Sequence, residues 1–402
     1  MTNNKFNIPK LLEQIVTGEN IEIDLNSLFE EKLKEYNISK RKAGELLNID
    51  QRTLSDTLNG KAKQPSIINI IKIANFLEID DLYKAIPAAL RNQETDNIGS
   101  IERANDASFI AKNFDIKKLT QVGFFNKDAD TSSLIKRVLS FFGYESIFEY
   151  NRIVNSPLFS RTKRSFSDRM KDFWIKSAIC CFKDINNPNQ YNRENIKELV
   201  QKIRPYCQDE KDGLFTVCKA LYNAGVTVII QNHLTLTQVR GGTFIIEGKP
   251  CIVITDLHKR YTTIWETLIH ELSHVLFDWD AIAAEGYHLT GEPDLLLIEE
   301  KAEDFTREYF CGYEDYNYIK EHIRNPFLVE RFAKEQEIHP SFVYSSYRQF
   351  ELIINGENYY SLFNEFFPDY SVAVKELSPV TWKENSIQDI ANNIKSIFEL
   401  NV

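Results

Sequence analysis

Two histidines and a glutamate give the sequence its clearest chemical potential: His270, Glu271 and His274, in the run HELSH at 270–274. Residues four positions apart project from one face of a helix, so both imidazoles can reach one metal ion. Zinc takes such ligands in a tetrahedral set and leaves one position for water in catalytic sites. Glu271 lies one step round the helix, where it can take a proton from that water as the water attacks a carbonyl. The run therefore predicts a catalytic site with one zinc ion per chain.

A third metal ligand is needed, and a carboxylate on a following helix is the usual solution. Glu299 and Glu300 stand at the start of a later helical pattern, and Glu299 is preferred. Glu300 stays an alternative because the phase of that helix is uncertain by one residue. Asp280 is a second alternative. If the first helix continues, however, the six residues after His274 amount to about 600° of rotation, which points Asp280 away from the histidines.

Two further features bear on how a substrate would be held. His288 follows the motif in a loop that contains Gly and Glu, and it could help to polarise a substrate carbonyl. The short strands predicted between residues 243 and 254 could offer an edge on which an extended peptide adds as a further strand.

The elements that must position these residues follow from the hydrophobic pattern. Apolar residues flank the HELSH run at helical spacing, which predicts a buried active-site helix. Three β-branched runs precede it at 226–256, separated by glycine-containing turns, and predict a small, partly antiparallel sheet. Helical patterns fill residues 108–222 and the chain from Thr262 to the end. The predicted fold class is therefore α+β and mainly helical.

A second candidate site lies near the N-terminus. Ser39 can cap one helix and Asp50 the next, and Gly60 can end the second helix, with a three-residue turn between the two. This is the helix-turn-helix arrangement, whose second helix enters the major groove by its N-terminal end. Side chains there can read base edges or phosphates, and lysines beside them can bind phosphates. The predicted DNA contacts are Lys40, Gln51, Arg52, Thr53, Ser55, Lys61 and Lys63.

Composition and charge exclude some classes of protein. The formal net charge is −10 over 402 residues, so the chain as a whole is not a polycation for nucleic acid or membranes. From Tyr36 to Gln64, however, six basic and three acidic side chains give a local charge of +3, which can mark a nucleic-acid face. The N-terminal segment has no apolar leader pattern, and no window approaches 18 uninterrupted apolar residues. With six cysteines and no Cys-x-x-Cys pair, these features predict a cytoplasmic protein with reduced thiols and no membrane partner.

The N-terminal pattern resembles the lambda-repressor-like, or XRE-type, helix-turn-helix family. The matching residues are Ala43-Gly44-Glu45-Leu46-Leu47-Asn48-Ile49-Asp50, Leu58-Asn59-Gly60-Lys61 and Pro65. Ala43 and Gly44 depart from the family, in which a larger apolar residue and an alanine are usual. The resemblance implies a double-stranded DNA operator as a partner. A homodimer is a further expectation, because such proteins commonly bind DNA as dimers.

Residues 190–350 resemble the ImmA/IrrE metallopeptidase family, most clearly from Ile254 to Phe305. The family's third metal ligand lies three residues before an alanine, which corresponds here to Glu299 and Ala302. Ser273, Glu303 and Thr306 depart from the family pattern without removing a ligand. The matching stretches are Leu257-His258-Lys259-Arg260, Ile264-Trp265-Glu266-Thr267-Leu268, His270-Glu271-Leu272-Ser273-His274-Val275-Leu276, Glu299-Glu300-Lys301-Ala302-Glu303-Asp304-Phe305 and Ile338-His339-Pro340-Ser341.

Together the two resemblances imply a zincin-like peptidase domain, with a small sheet and an active-site helix, behind a helix-turn-helix bundle. They imply a DNA-binding regulator that cleaves one protein partner, such as a repressor or an antitoxin-like protein, in a response to stress or a mobile element. The alternative is a non-catalytic repressor or antitoxin whose zinc-binding domain serves as a sensor or partner-binding module. The predicted regions are an extension at 1–24, the helix-turn-helix domain at 25–85, a linker at 86–107, a helical middle region at 108–189, the metallopeptidase domain at 190–350 and a C-terminal helical region at 351–402.

Overall fold

The computed structural model describes residues 25–59, 66–78, 95–152, 169–234, 237, 239–290, 296–383 and 386–399. The fold is mainly helical, at 67% helix, with a small four-stranded sheet. The chain divides into two compact units, Met1–Lys112 and Asn113–Val402, which are described separately below. Among the described residues, every helix is too short or too polar to cross a lipid bilayer.

The first unit is built from short helices, and its second and third helices begin at the predicted caps. Ser39 Oγ accepts a hydrogen bond from the backbone N–H of Lys42 at 3.2 Å, and Asp50 Oδ1 accepts one from Thr53 at 2.9 Å. Each side chain therefore satisfies a backbone donor that the first helical turn leaves free. The helices are α1 Leu25–Tyr36, α2 Lys40–Leu47, α3 Gln51–Leu58, α4 Ile67–Phe76 and α5 Thr95–Asn113, whose last residue belongs to the second unit.

The turn between α2 and α3 depends on a small residue at Gly44. The chain reverses at Asn48, whose φ of 51° lies in the left-handed region, and the N–H of Ile49 then bonds to the Gly44 carbonyl at 2.9 Å. A Cβ added at Gly44 would come within 3.0 Å of the Ile49 carbonyl oxygen. Leu54 and Leu58 are buried beneath the turn and form part of the core of this unit.

The predicted linker at 86–107 overlaps α5, which is already helical at Thr95. Ala104, Ala107 and Ala111 are buried and lie three or four residues apart, so they form one stripe of a helix. Polar residues separate these alanines in the sequence, so the hydrophobic pattern of the segment is weak and resembles that of a linker. The part of the predicted linker at 86–94, and the predicted extension at 1–24, lie outside the described residues.

The second unit packs helices around the sheet, with short 3-10 turns between some of them. It contains the predicted metallopeptidase and C-terminal regions, and the predicted middle region from Asn113 onward. Its elements are α6 Ile116–Gln121, α7 Thr131–Phe142, α8 Glu149–Arg152, α9 Arg169–Ile185, α10 Arg193–Ile203, α11 Gly213–Asn223, β1 Thr227–Gln231, β2 Gly241–Ile246, β3 Lys249–Thr255, α12 Tyr261–Phe277, α13 Trp279–Glu285, β4 Tyr287–Leu289, α14 Leu296–Cys311, α15 Tyr313–Ile319, α16 Pro326–Glu335, α17 Pro340–Asn355, α18 Tyr370–Val374 and α19 Ile387–Glu399.

The sheet has the strand order β1-β3-β2-β4. β1 runs parallel to β3, whereas β2 is antiparallel to both β3 and β4, so the partly antiparallel sheet is confirmed. β2 and β3 are interior strands, each paired with a neighbouring strand on both sides. The prediction that residues 243–254 offer a free edge for an extended peptide is therefore wrong. The register places Thr243 opposite His288.

Helix α12 carries the HELSH run through the middle of the second unit. It contacts β2, β3 and α14, and its residues from Leu268 to Leu276 are all buried. A helix that is buried on every side has polar residues only where they make specific contacts. The buried imidazoles and carboxylate on α12 therefore require partners from the surrounding elements.

Candidate functional site

His270, His274 and Glu299 converge in the interior of the second unit. His270 Nε2 lies 3.2 Å from His274 Nε2 and 3.3 Å from Glu299 Oε2. His274 Nε2 lies 3.9 Å from Glu299 Oε1. Ligand atoms about 2.0–2.1 Å from a tetrahedral zinc ion are roughly 3.3–3.4 Å apart. Two of the three separations are close to that value and the third, at 3.9 Å, is longer. Two imidazoles with one carboxylate are a donor set that zinc accepts.

The other two candidate ligands point elsewhere. Glu299 is buried where α14 packs against α12, whereas Glu300 is exposed on the next step of the same helix. Asp280 is exposed on α13, because the ligand helix ends at Phe277 and the chain turns before continuing. Neither side chain belongs to the cluster of donors.

A second carboxylate, Asp278, orients His274 through a hydrogen bond from the ring nitrogen that faces away from the cluster. Asp278 Oδ2 lies 2.9 Å from Nδ1 of His274, so the ring donates from Nδ1 and keeps Nε2 free of a proton on the side of His270. Such carboxylate partners fix the tautomer and orientation of histidines that bind metals. Asp278 lies four residues after His274, and this spacing is the signal in the sequence from which its role could have been predicted.

Burial and hydrogen bonding set the charge of two of the donors. Burial lowers the pKa of His274 to about 3, so its ring is neutral at physiological pH, as a ligand must be. Burial alone would raise the pKa of Glu299, but hydrogen bonds from His270 and His288 hold it well below its usual range. The carboxylate is therefore ionised and carries the negative charge of the cluster.

His288 lies against a ligand rather than at the open side of the site. Its Nε2 is 2.5 Å from Glu299 Oε1, its ring centroid is 4.5 Å from that of His274, and the residue is only 2% exposed. Strand β4 is paired with β2, and this register turns His288 inward over α14. The predicted contact with a substrate carbonyl is corrected to a hydrogen bond that orients Glu299.

Two threonines hold Glu271, the candidate base. Thr243 on β2 donates from Oγ1 to Glu271 Oε2 at 2.7 Å, and Thr290, just after β4, donates to Oε1. Each carboxylate oxygen keeps a second lone pair, so both hydroxyls can orient Glu271 while it accepts a proton from elsewhere. Burial raises the pKa of Glu271, which makes it a better base than an exposed carboxylate. Sequence reasoning missed both threonines, since they are near Glu271 only through the sheet.

The close approach of β2 to α12 requires a glycine. A Cβ added at Gly241 would lie 2.7 Å from Glu271 Oε1 and 2.6 Å from Thr267 Cγ2. Real side-chain carbons do not approach that closely, so any larger residue here would displace Glu271 or the strand. Gly241 is thus part of the arrangement that seats the base.

A cavity of about 400 Å³ opens beside His270. Helices α12, α14 and α17 form its walls, and Thr290 lies at the end nearest Glu271. The candidate metal ligand His270 and the helix that carries Glu271 thus border a space large enough for part of a polypeptide.

The predicted DNA contacts on α3 are accessible. The side chain of Arg52 is 92% exposed and lies 3.9 Å from Asp56, and Gln51 is exposed beside it. Thr53 and Ser55 are half-buried.

The lysines predicted to bind phosphates differ in how far the structure describes them. Lys40 forms a 3.3 Å ion pair with Glu30 on α1, so its ammonium group is partly neutralised before any phosphate approaches. Lys61 and Lys63 lie outside the described residues.

Comparison with known proteins bears on the first unit. Residues 29–83 match the family model of the helix-turn-helix. No curated protein and no solved structure matches the chain. The comparisons lend no support to the resemblance of residues 190–350 to the ImmA/IrrE family, which stays a prediction. The match over 29–83 supports a helix-turn-helix unit of the XRE type and, with it, a DNA-binding regulator.

Proposed function

We propose that the second unit is a zinc-dependent peptidase, and that this regulator cleaves a specific protein partner such as a repressor or an antitoxin-like protein. The observation that carries the proposal is the convergence of His270, His274 and Glu299 from two helices. Glu271 lies on the same helix as the two histidines, and two threonine hydroxyls from outside that helix hold its carboxylate. A merely structural group of polar side chains would not need a separately oriented carboxylate beside three metal-type donors.

The side chains divide the work of peptide hydrolysis as follows. His270, His274 and Glu299 would hold the zinc ion, which when bound polarises a water molecule and the scissile carbonyl. Glu271 accepts a proton from the water as the oxygen of the water bonds to the carbonyl carbon. Glu271 then gives that proton to the amide nitrogen as the C–N bond breaks. Thr243 and Thr290 keep the carboxylate in place through both transfers.

The proposed biological role joins this site to DNA binding. A sequence-reading unit confers no benefit on a general degradative protease, whereas a regulator gains from acting near its target gene. The match at residues 29–83 supports the DNA-binding part of this role. The protein partner, the operator and a homodimer belong to the proposal.

One observation favours a second candidate, a non-catalytic zinc sensor. His288 Nε2 lies 2.5 Å from Glu299 Oε1 and its ring packs against His274, so a fourth donor stands beside the three candidate ligands. Four protein ligands close a zinc site, and closed sites are structural rather than catalytic. X-ray absorption of the zinc-loaded chain separates the candidates, since two coordinated imidazoles favour the peptidase and three favour the sensor.

The peptidase proposal is tested with Glu271→Gln, which keeps the shape of the base but cannot accept the proton. Zinc-loaded wild-type and variant chains are incubated with a synthetic peptide library, and cleavage is read by mass spectrometry. We expect cleavage by the wild type and a loss of at least about 100-fold in the variant, with zinc content unchanged. Equal cleavage by both chains, or none by a wild type that contains zinc, contradicts the proposal.

A further inference from the structure

The cavity beside His270 is a groove between three helices. Its α12 wall is made of residues three or four positions apart, which share one face of that helix. The α14 and α17 walls have the same spacing. The residues of the α12 wall are Thr263, Glu266, Thr267 and His270. Glu266 lies four residues, or about 6 Å along the helix axis, from the candidate metal ligand His270.

Glu266 is a carboxylate with an unused oxygen inside this groove. Its Oε1 accepts hydrogen bonds from Ser345 Oγ at 2.8 Å and from Gln349 Nε2 at 3.4 Å. No residue in the part of the chain that the structure describes donates to Oε2. Both donors to Oε1 are neutral, and burial raises the pKa of Glu266. A half-buried carboxylate with only neutral donors is stabilised by a cation that enters its site.

The neighbouring arginines do not supply this cation through a hydrogen bond. Arg307 lines the groove but is paired with Asp304 at 2.7 Å, and Arg260 stacks on Tyr360 with its guanidinium 3.8 Å from the ring centroid. Arg240 is exposed at the wall and makes no ion pair with any described residue. Its charge lies near enough to favour the ionised form of Glu266, but solvent screens it at this exposed position.

Part of the groove wall is apolar, although threonines and charged side chains also line it. Phe310 and Phe342 are buried in its walls, with their rings stacked 4.1 Å apart, and Leu352 and Ile353 are exposed on α17. These side chains continue the groove outward from Glu266. A ligand that reaches Glu266 therefore passes apolar surface before its end meets the carboxylate.

We propose that this groove is a specificity subsite that binds a lysine or arginine side chain of the polypeptide substrate, next to the scissile bond. This proposal rests on the proposed peptidase function for its substrate class. The aliphatic stems of lysine and arginine are long enough to cover one helical turn, and their cationic ends match Glu266 Oε2. Shorter basic or polar side chains would leave Glu266 Oε2 without a partner.

The first test uses the full-length, zinc-loaded chain and a mass-spectrometric peptide library. We expect lysine and arginine to be enriched at least about tenfold over leucine and norleucine at one position beside the cleaved bond. Glu266→Gln should abolish this preference. Glu303→Gln is the matched control, because Glu303 lines the same cavity at an exposed position and should leave the preference intact. Equal cleavage of norleucine and lysine peptides overturns the proposal.

A charge reversal guards against a variant that fails to fold. Glu266→Lys should shift the preference toward aspartate and glutamate, which a misfolded chain cannot do. A preference of the wild type for acidic residues that disappears in Arg240→Ala would instead assign the subsite to Arg240 and contradict the role of Glu266.

A second test does not depend on turnover. Peptides are selected from a displayed random library on the zinc-loaded Glu271→Gln chain and on the wild type treated with a chelator. Basic residues that are enriched on both, and lost with Glu266→Gln, support the subsite even if no peptide is cleaved and the peptidase proposal fails. Selection without basic enrichment on either chain refutes the subsite and leaves the peptidase proposal standing.

Discussion

Asp278 accepts a hydrogen bond from Nδ1 of His274 across 2.9 Å, and the two residues lie one helical turn apart at the end of α12. The pairing leaves Nε2 of a neutral ring directed at His270 and Glu299. The fold itself therefore fixes the orientation of this candidate ligand, so that binding a metal would not have to order the ring.

We predict that Asp278→Asn weakens zinc binding by about 10- to 100-fold, because the amide stabilises the required tautomer less well than a carboxylate. Competition against a chromophoric chelator measures the affinity. Asp280→Asn is the matched control, since Asp280 is exposed two residues later and should bind zinc as the wild type does. An unchanged affinity for Asp278→Asn would remove Asp278 from the site.

The hydroxyl of Thr243 is predicted to matter for turnover and not for metal content. Thr243→Val keeps the shape of the side chain but loses the 2.7 Å hydrogen bond to Glu271, and we expect kcat to fall by about 10- to 100-fold. Thr243→Ser restores the hydroxyl and should recover most of the activity. Library cleavage rates with zinc content measured in parallel provide the readout, and a valine variant as active as the serine variant would contradict the orienting role.

Gly241→Ala should destabilise the second unit by about 1–3 kcal/mol, because the new methyl group meets Thr267 and the Glu271 carboxylate. Urea unfolding followed by circular dichroism measures the free energy. Adding Thr267→Ser removes the methyl group at 2.6 Å and should recover part of the loss. If Gly241→Ala unfolds at the same urea concentration as the wild type, the backbone of β2 at Gly241 is not in close contact with Thr267 and Glu271 of α12.

Arg52→Ala should weaken binding to a duplex enriched from a random-sequence library by at least about fivefold and lower the salt slope by about 1. Arg331→Ala is the matched control, because Arg331 also pairs with an acidic residue four positions later on an exposed helix, but in the second unit. Equal affinity and slope for Arg52→Ala and the wild type would place the recognition surface elsewhere.

The parts of the molecule that sequence reasoning found are those governed by local spacing. The caps at Ser39 and Asp50 act on residues three positions away, and the histidines of α12 are four apart, so periodicity alone places them. Glu299 was separable from Glu300 only by helix phase, which the packing of α14 against α12 decides.

The parts that were missed depend on contacts between distant segments. Thr243 and Thr290 reach Glu271 from β2 and from the end of β4, and no local pattern shows that these strands meet above α12. The role of His288 was misplaced for the same reason, since it is strand pairing that turns its ring toward Glu299. A one-residue change of register would have pointed it to the other face of the sheet.

The zinc content of the purified full-length chain, measured by plasma mass spectrometry, tests the central claim most directly. The account predicts a ratio of about one zinc per chain in the wild type and in Glu271→Gln, and a ratio near zero in His274→Ala and Glu299→Ala after dialysis. A wild-type chain that folds, remains free of zinc when supplied with the ion, and has the same thermal stability with and without a chelator would contradict it.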